Sequence, residues 1–329
     1  MNSSENDQYT NLSAGESELR DITGDNGKWN WLASYATASY AFKDRYLLDV
    51  AFSGDFSTRV GRDAENVIRI NDRPFGLFYS LGAAWRLSGE SFMSGLESIE
   101  DLRLKLNYGT SGNDDIGNYS SYAYYALKLY RETSGMIPGG FPNSFITFET
   151  ITQLSTGIDL SMWENRLMLS GNYYSSTTDD LLVYEQLSSY MGYSIFPSNN
   201  ASLEKTGYNV GLFSRIIQKG SFAFDIDLNL THFESTITDI PDGEIISDLP
   251  GGAQLINRIG SPANSFYGYQ YEGVFSTQAE AESAGKVNDK GIPFRAGDAV
   301  FADLSGPDGV PDQVINEYDK VILGSSAPD

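Results

Sequence analysis

The stretch "RYLLDVAFSGDFSTR", residues 45–59, decides the fold. Tyr46, Leu48, Val50, Phe52 and Phe56 fall on one side of an extended chain, and Arg45, Asp49, Ser53, Asp55 and Arg59 on the other. Alternation with a period of two marks a strand with one apolar and one polar face. The same pattern recurs in "SFAFDIDLNLTH" (221–232), where Phe222, Phe224, Ile226, Leu228 and Leu230 oppose Ser221, Asp225, Asp227, Asn229 and Thr231. Leu102, Leu104, Leu106 and Tyr108 oppose Asp101, Arg103, Lys105 and Asn107, and Phe75, Leu77, Tyr79, Leu81, Ala83 and Trp85 line one side of another run. Leu154, Ile158 and Leu160 precede a tight "MWENR" (162–166), and Leu167, Leu169 and Tyr173 follow it. Tyr208, Val210, Leu212 and Ile216 make a further strand, and "WLASYATASY" (31–40) a weaker one.

Strand length then narrows the class. Many runs extend over about 11 to 14 residues, against about 5–6 for ordinary soluble strands and roughly 9–11 for strands that cross a membrane. Connections alternate in length. Short ones fall at Ala41–Asp44, Trp163–Arg166 and Gln218–Gly220, a middling one at Ser88–Glu100, and long ones over 60–73, 113–150, 179–203 and 235–329. Short periplasmic turns and long extracellular loops are the pattern of outer-membrane barrels. Tyr46, Tyr108, Tyr173 and Tyr208 lie near strand ends on the apolar faces, where such rings favour the membrane–water interface. A soluble β-sandwich also uses tyrosine and alternation, but it accounts for neither the strand length nor the loop asymmetry. The expected fold is all-β, an antiparallel transmembrane β-barrel segment of about eight long strands with long extracellular loops.

Composition excludes several functions. Asp and Glu number 44 against 22 Lys and Arg, a net charge of -22, which argues against nucleic-acid binding by counterion replacement. The chain has no cysteine, so disulfides, zinc-thiolate sites and cysteine nucleophiles are excluded. The single histidine, His232, reads as an ordinary strand residue. No apolar run is long enough for a transmembrane helix, which says nothing about barrel strands. The N-terminus is polar and does not read as a signal peptide. No P-loop, nucleophile elbow or dinucleotide fingerprint is present, and no carboxylate pair stands out for glycosidase chemistry. The expectation is a protein that is not an enzyme.

Three loop features are candidate sites. Calcium takes carboxylates from alternating loop positions, with glycine at the sharp turn. Asp303, Ser305, Asp308 and Asp312 are the candidate calcium ligands, with Asp298 and Asp319 nearby, but Pro307 intrudes and sets Asp308-Gly309 one position late. A solvated turn cluster is the favoured alternative. "GNDDIGNY" (112–119) reads as a turn held by Asn and Asp side chains, or as a ligand contact at the extracellular mouth. Tyr119, Tyr122, Tyr124, Tyr125, Tyr190, Tyr193, Phe196, Tyr267, Tyr269 and Tyr271 suit either sugar stacking or a partner protein.

Five blocks, in order, resemble the SusC/RagA-type TonB-dependent outer-membrane transporters of Bacteroidetes. "YAFKDRYLLDVAFSGDFSTRVG" (40–61) resembles that family's Y-x-Y-K-D-R-Y-L-L strand pair and D-G-S-S-R-F-G ending, with Gly54 and Asp55 transposed. "LGAAWRLSGESFM" (81–93), "LRLKLNYGTSGNDDIGNY" (102–119), "NRLMLSGNYYSSTTDDLL" (165–182) and "GDAVFADLSGPDGVPD" (297–312) match the others. The resemblance implies a barrel of about 22 strands around a plug, of which this chain supplies part of the wall. The expected layout is a polar N-terminal loop segment at 1–30, a partial barrel at 31–234, and a long acidic extracellular loop at 235–329 leading to a missing strand. Plug, signal peptide and closing strands are expected to lie outside it. The resemblance further implies import of oligosaccharides or peptides, a SusD-like surface lipoprotein as partner, TonB as energy source, and a setting in outer-membrane lipid. A siderophore receptor is the alternative within that class, and a soluble β-rich carbohydrate-binding or structural module the alternative outside it.

Overall fold

Eight long strands follow one another as an antiparallel meander in the computed structural model, which describes residues 27–327 apart from 131, 132 and 194. They are β1 (Trp31–Phe42), β2 (Tyr46–Ser57), β3 (Arg73–Arg86), β4 (Ile99–Asn113), β5 (Glu149–Met162), β6 (Leu167–Gln186), β7 (Ile195–Lys219) and β8 (Phe222–Asp239). Each pairs with its sequence neighbours. Short turns join β1 to β2, β5 to β6 and β7 to β8, and two 3-10 turns (Leu87–Gly89, Ser91–Met93) join β3 to β4. The long connections all lie at the other end. Most of the polar segment expected at 1–30 lies outside the described residues.

The register fixes which side chains share a face. Leu48 pairs with Tyr40 and Ala83, Ala83 with Leu106, and Leu106 with Thr156. Tyr173 pairs with Thr156 and Tyr208, and Tyr208 with His232. The opposite face carries Ser39, Asp49, Gly82, Asn107, Ser155, Tyr174 and Gly207 in successive partnership. At Gly207 a side chain would collide with the Tyr174 ring and the His232 carbonyl, so the tyrosine lies across a position that only glycine leaves open.

Among the described residues nothing covers the apolar face. Leu48, Phe52, Leu81, Leu106, Leu154, Ile158, Leu228 and Leu230 are all exposed, where a soluble sheet would bury them. The buried apolar clusters sit instead toward the long-loop end: Val60, Ala64, Phe78, Ile116, Ile146 and Phe148 in one, and Ala201, Ile237 and Ile240 in another. No helix among the described residues is long and apolar enough to cross a membrane.

Two long connections differ from the sequence reading. The stretch 179–203 is mostly strand, because β6 and β7 stay paired out to Gln186 and Ile195. The final connection carries its own four-stranded sheet: β9 (Glu244–Asp248), β10 (Gln254–Arg258), β11 (Ser265–Tyr269) and β12 (Lys320–Gly324). A helix, α1 (Gln278–Ala284), starts at Thr277, whose side chain accepts the Glu280 amide, and stops at Gly285 in the left-handed region.

Candidate functional site

The apolar face has the height of a membrane. Phe75 to Trp85 spans ten residue steps along one side of β3, about 33 Å at ~3.3 Å per residue. Tilted by about 40°, that is the ~25 Å band of an outer-membrane barrel. At the short-turn end Tyr46 and Trp85 stack at 6.4 Å. Farther along the face Tyr79 and Tyr108 lie 6.2 Å apart, and Tyr208 lies 5.4 Å from His232. The four tyrosines expected at the interface all stand on this face, and His232 stands on it beside Tyr208.

Part of the charge on the polar face is paired. Lys105 Nζ donates to Asp159 at 2.9 Å, and Arg215 grips Asp225 through two bonds at 3.0 and 3.1 Å. Asp101 accepts from Arg86 Nε at 2.7 Å and from Arg103 at 3.1 Å. What remains is a wet surface of Ser, Thr, Asn and Gln, with Ser39 donating to Asp49 at 2.6 Å. Such a face suits a lumen through which polar solutes pass.

At the short-turn end one carboxylate gathers three donors from two turns. Glu90 accepts from Tyr46 Oη at 2.7 Å, Trp85 Nε1 at 3.1 Å and Arg45 Nη1 at 3.1 Å. The sequence marked Glu90 only as part of a motif; the clasp itself comes from register, which sets Tyr46 opposite Trp85. The Tyr46 and Trp85 donors hold the Glu90 carboxyl below the usual carboxylate range, and Arg45 adds to them against the opposing effect of burial. A lowered folded pKa means the stabilisation is complete above the unfolded value of about 4.3 and is lost as pH falls through the folded one. Thermal stability is therefore expected to be flat from about pH 7 to 5 and to drop on further acidification. Glu90→Gln should flatten the acid limb; an unchanged limb in that variant would refute the clasp.

The long loops form a packed assembly. Gly61 N donates to Ile146 O at 2.8 Å and Asp63 N to Ser144 O at 2.8 Å, joining the β2–β3 loop to the β4–β5 loop. No side chain fits at Gly61, where the Ser144 backbone stands against it. Arg59 lies 4.2 Å over the Trp29 ring and donates to Asn118 Oδ1 at 3.0 Å and Asp114 O at 3.3 Å. The "GNDDIGNY" segment is thus held from inside: Ile116 is fully buried, and the Asp115 amide donates to Asn113 Oδ1.

The loop aromatics divide. Tyr119 packs on Tyr124, and Phe141 on both Tyr193 and Phe196, while Tyr269 packs on Phe301. Tyr122, Tyr125, Tyr190 and Tyr271 stay exposed, and these are the rings left free for a ligand or partner.

The acidic loop near the end of the chain is organised by its own backbone. Asp303 accepts the amides of Asp312 and Gln313, at 3.2 and 2.7 Å, and Asp312 accepts that of Val314 at 2.9 Å. Asp308 points to solvent beyond Pro307, and Ser305 reaches only the Gly306 carbonyl. Among the described residues no group of three acidic or histidine side chains is arranged to hold a metal. The pivotal acid is Asp319, fully buried, which accepts the amides of Leu304, Ser305 and Asn316 at 2.8, 3.1 and 2.8 Å. Asp319→Ala orphans three amides, each costing about 1–3 kcal/mol if left buried. Hydrogen exchange at Leu304, Ser305 and Asn316 is expected to accelerate sharply; unchanged protection there would refute the role.

No family model matches the chain. Among curated proteins it is 28% identical, over 98% of its length, to a TonB-dependent receptor of Formosa agariphila, of which it covers 31%. It is 30% identical, over 77% of its length, to another from that organism, covering 23% of it. With the TonB-dependent receptor SusC of Bacteroides thetaiotaomicron it shares 25% identity over 80% of its length and 27% of that protein. Among solved structures, the RagAB peptide transporter matches with a TM-score of 0.73 at 24% identity, over 98% of this chain and 33% of that one. The chain thus spans about a third of the length of the relatives it matches most fully, and these relatives are receptors, not enzymes. With the two-faced meander and its membrane-high apolar belt, these matches show an antiparallel β-barrel segment that resembles the wall of the SusC/RagA-type TonB-dependent receptors.

Proposed function

We propose that this chain is part of an outer-membrane importer of oligosaccharides or peptides, driven through TonB and working with a SusD-like surface lipoprotein. The observation that carries the reading is the exposed apolar belt backed by a polar, hydrogen-bonded face. The belt needs lipid and the polar face needs water, and a barrel wall is the setting that supplies both. The long loops then face outside, where Tyr122, Tyr125, Tyr190 and Tyr271 are available to a sugar, a peptide or a lipoprotein lid. The likeness to SusC and to RagAB supports this reading.

The test is uptake by the cell. Cells carrying the gene should accumulate fluorescent oligosaccharides or oligopeptides, and should stop when a protonophore collapses the energy source or when the gene is deleted. The lipoprotein should co-purify with the barrel in mild detergent. Uptake unchanged by both treatments would overturn the importer. A soluble β-rich module is disfavoured because it would expose Leu48, Phe52, Leu104, Phe224 and Leu228 to water. A detergent-free, monomeric protein would restore that alternative.

A further inference from the structure

A groove on the outer face of the wall has a lysine beside one of its walls. Phe42, Tyr46, Leu48, Ala83, Trp85 and Leu104 line it, enclosing about 520 Å³, within the roughly 300–1,000 Å³ of ligand sites. Ala83 is its low floor, set between Leu48 and Leu106 in register. The stacked Tyr46 and Trp85 rings are fixed by Glu90, so the wall of the groove is preformed. At the short-turn end Lys43 Nζ lies 5.1 Å from the Phe42 ring centroid. Among the described residues Lys43 forms no ion pair, whereas its neighbour Arg45 is committed to Glu90.

We propose that this groove is a discrete site for a glycerophospholipid of the periplasmic leaflet. One acyl chain lies over Ala83 beside the Tyr46–Trp85 pair, and the phosphate meets the Lys43 ammonium. Charge complementarity names the occupant. An apolar slot alone accepts any hydrocarbon, but a slot whose Phe42 wall carries a cation free of ion pairs suits an amphiphile with an anion at that depth. The net charge of -22 gives the chain no general attraction for anions, so the pull on the phosphate is local to Lys43. The inference rests on the membrane reading above.

The protein, extracted intact from outer membranes in mild detergent, is stripped of lipid and titrated with dioleoyl phosphatidylglycerol under native mass spectrometry. Wild type is expected to retain one phospholipid. Lys43→Gln should bind it about fivefold more weakly, the effect of one cation at a membrane surface, and Lys43→Arg should restore it. Ala83→Phe, which fills the floor, should release it. Dioleoylglycerol, with the same chains and no phosphate, should bind wild type and Lys43→Gln alike. Lys43 lies in an exposed turn, where its side chain rests on the Phe42 ring alone among the described residues, so its variants should leave the wall folded. Equal phosphatidylglycerol retention by wild type, Lys43→Gln and Ala83→Phe would overturn the site while leaving a carbonate-resistant barrel. Release of the protein from membranes by alkaline carbonate would overturn the membrane reading and the site together.

Discussion

Leu81→Arg is expected to cost about 2–4 kcal/mol of folding stability in a bilayer, the penalty of a cation at the middle of a barrel's lipid face, while Ser80→Arg costs little. The two residues are adjacent, so propensity, strand position and sequence context are nearly matched. Only the direction differs. Leu81 is 47% exposed on the apolar face, between Val50 and Tyr108. It stands near the middle of the run from Phe75 to Trp85. Ser80 points to the polar face between Ala51 and Gly109, small neighbours that leave an arginine room to reach water. Folding into vesicles, followed by the mobility difference between folded and unfolded forms on gels across a urea series, reads both variants. Equal destabilisation would mean that the face assigned to lipid does not meet it.

That face was legible because membrane strands obey the simplest of patterns. Every residue from Tyr46 to Phe56 assigned to the apolar side stands on it, and register carries the assignment from strand to strand. The pattern failed where local chemistry was overruled by distant partners. Asp179, Asp180 and the "PSNN" at 197–200 look like turn residues, so 179–203 reads as a loop. The structure instead admits Asp180 at φ 56° and absorbs the irregularity in register shifts around Ala201. Asn199 makes this feasible. Its side chain bonds the Asp180 carbonyl at 2.6 Å and both backbone groups of Thr147, at 2.8 and 3.2 Å. A partner some fifty residues away is invisible to a local reading.

The same limit explains what was missed at the sites. Spacing made Asp303, Ser305, Asp308 and Asp312 a candidate calcium set, with a turn cluster as the favoured alternative, and it did not show that Asp303 and Asp312 accept backbone amides of the same loop. Asp319, noticed only as a neighbour, is the acid that holds the loop together. Glu90 was equally silent, since its three donors come from Arg45, Tyr46 and Trp85 and meet only once β2 and β3 are paired.

Ile146→Ala should separate the loop assembly from the wall. Ile146 is fully buried among Val60, Ala64, Phe78, Ile116 and Phe148, and truncating such a side chain costs about 2–5 kcal/mol. The loss falls on a unit that joins two loops to the top of β3 through Phe78, whose ring meets Phe148 edge-on at 5.7 Å. Hydrogen exchange across 58–67 and 114–121 is therefore expected to rise by orders of magnitude, while the ladder of β4 to β8 within the belt stays protected. Arg59→Ala, by contrast, should have the smaller effect, since its carboxylate contacts are long, 3.9 Å to Asp114 and 3.6 Å to the exposed Asp115, and loose ion pairs contribute little. Should Arg59→Ala free the loops and Ile146→Ala leave them protected, charge rather than packing would order the mouth. The distinction matters for binding. Loops held by a dry apolar cluster present Tyr122 and Tyr125 on a preformed surface that salt does not loosen, so a ligand arriving there does not have to order them first.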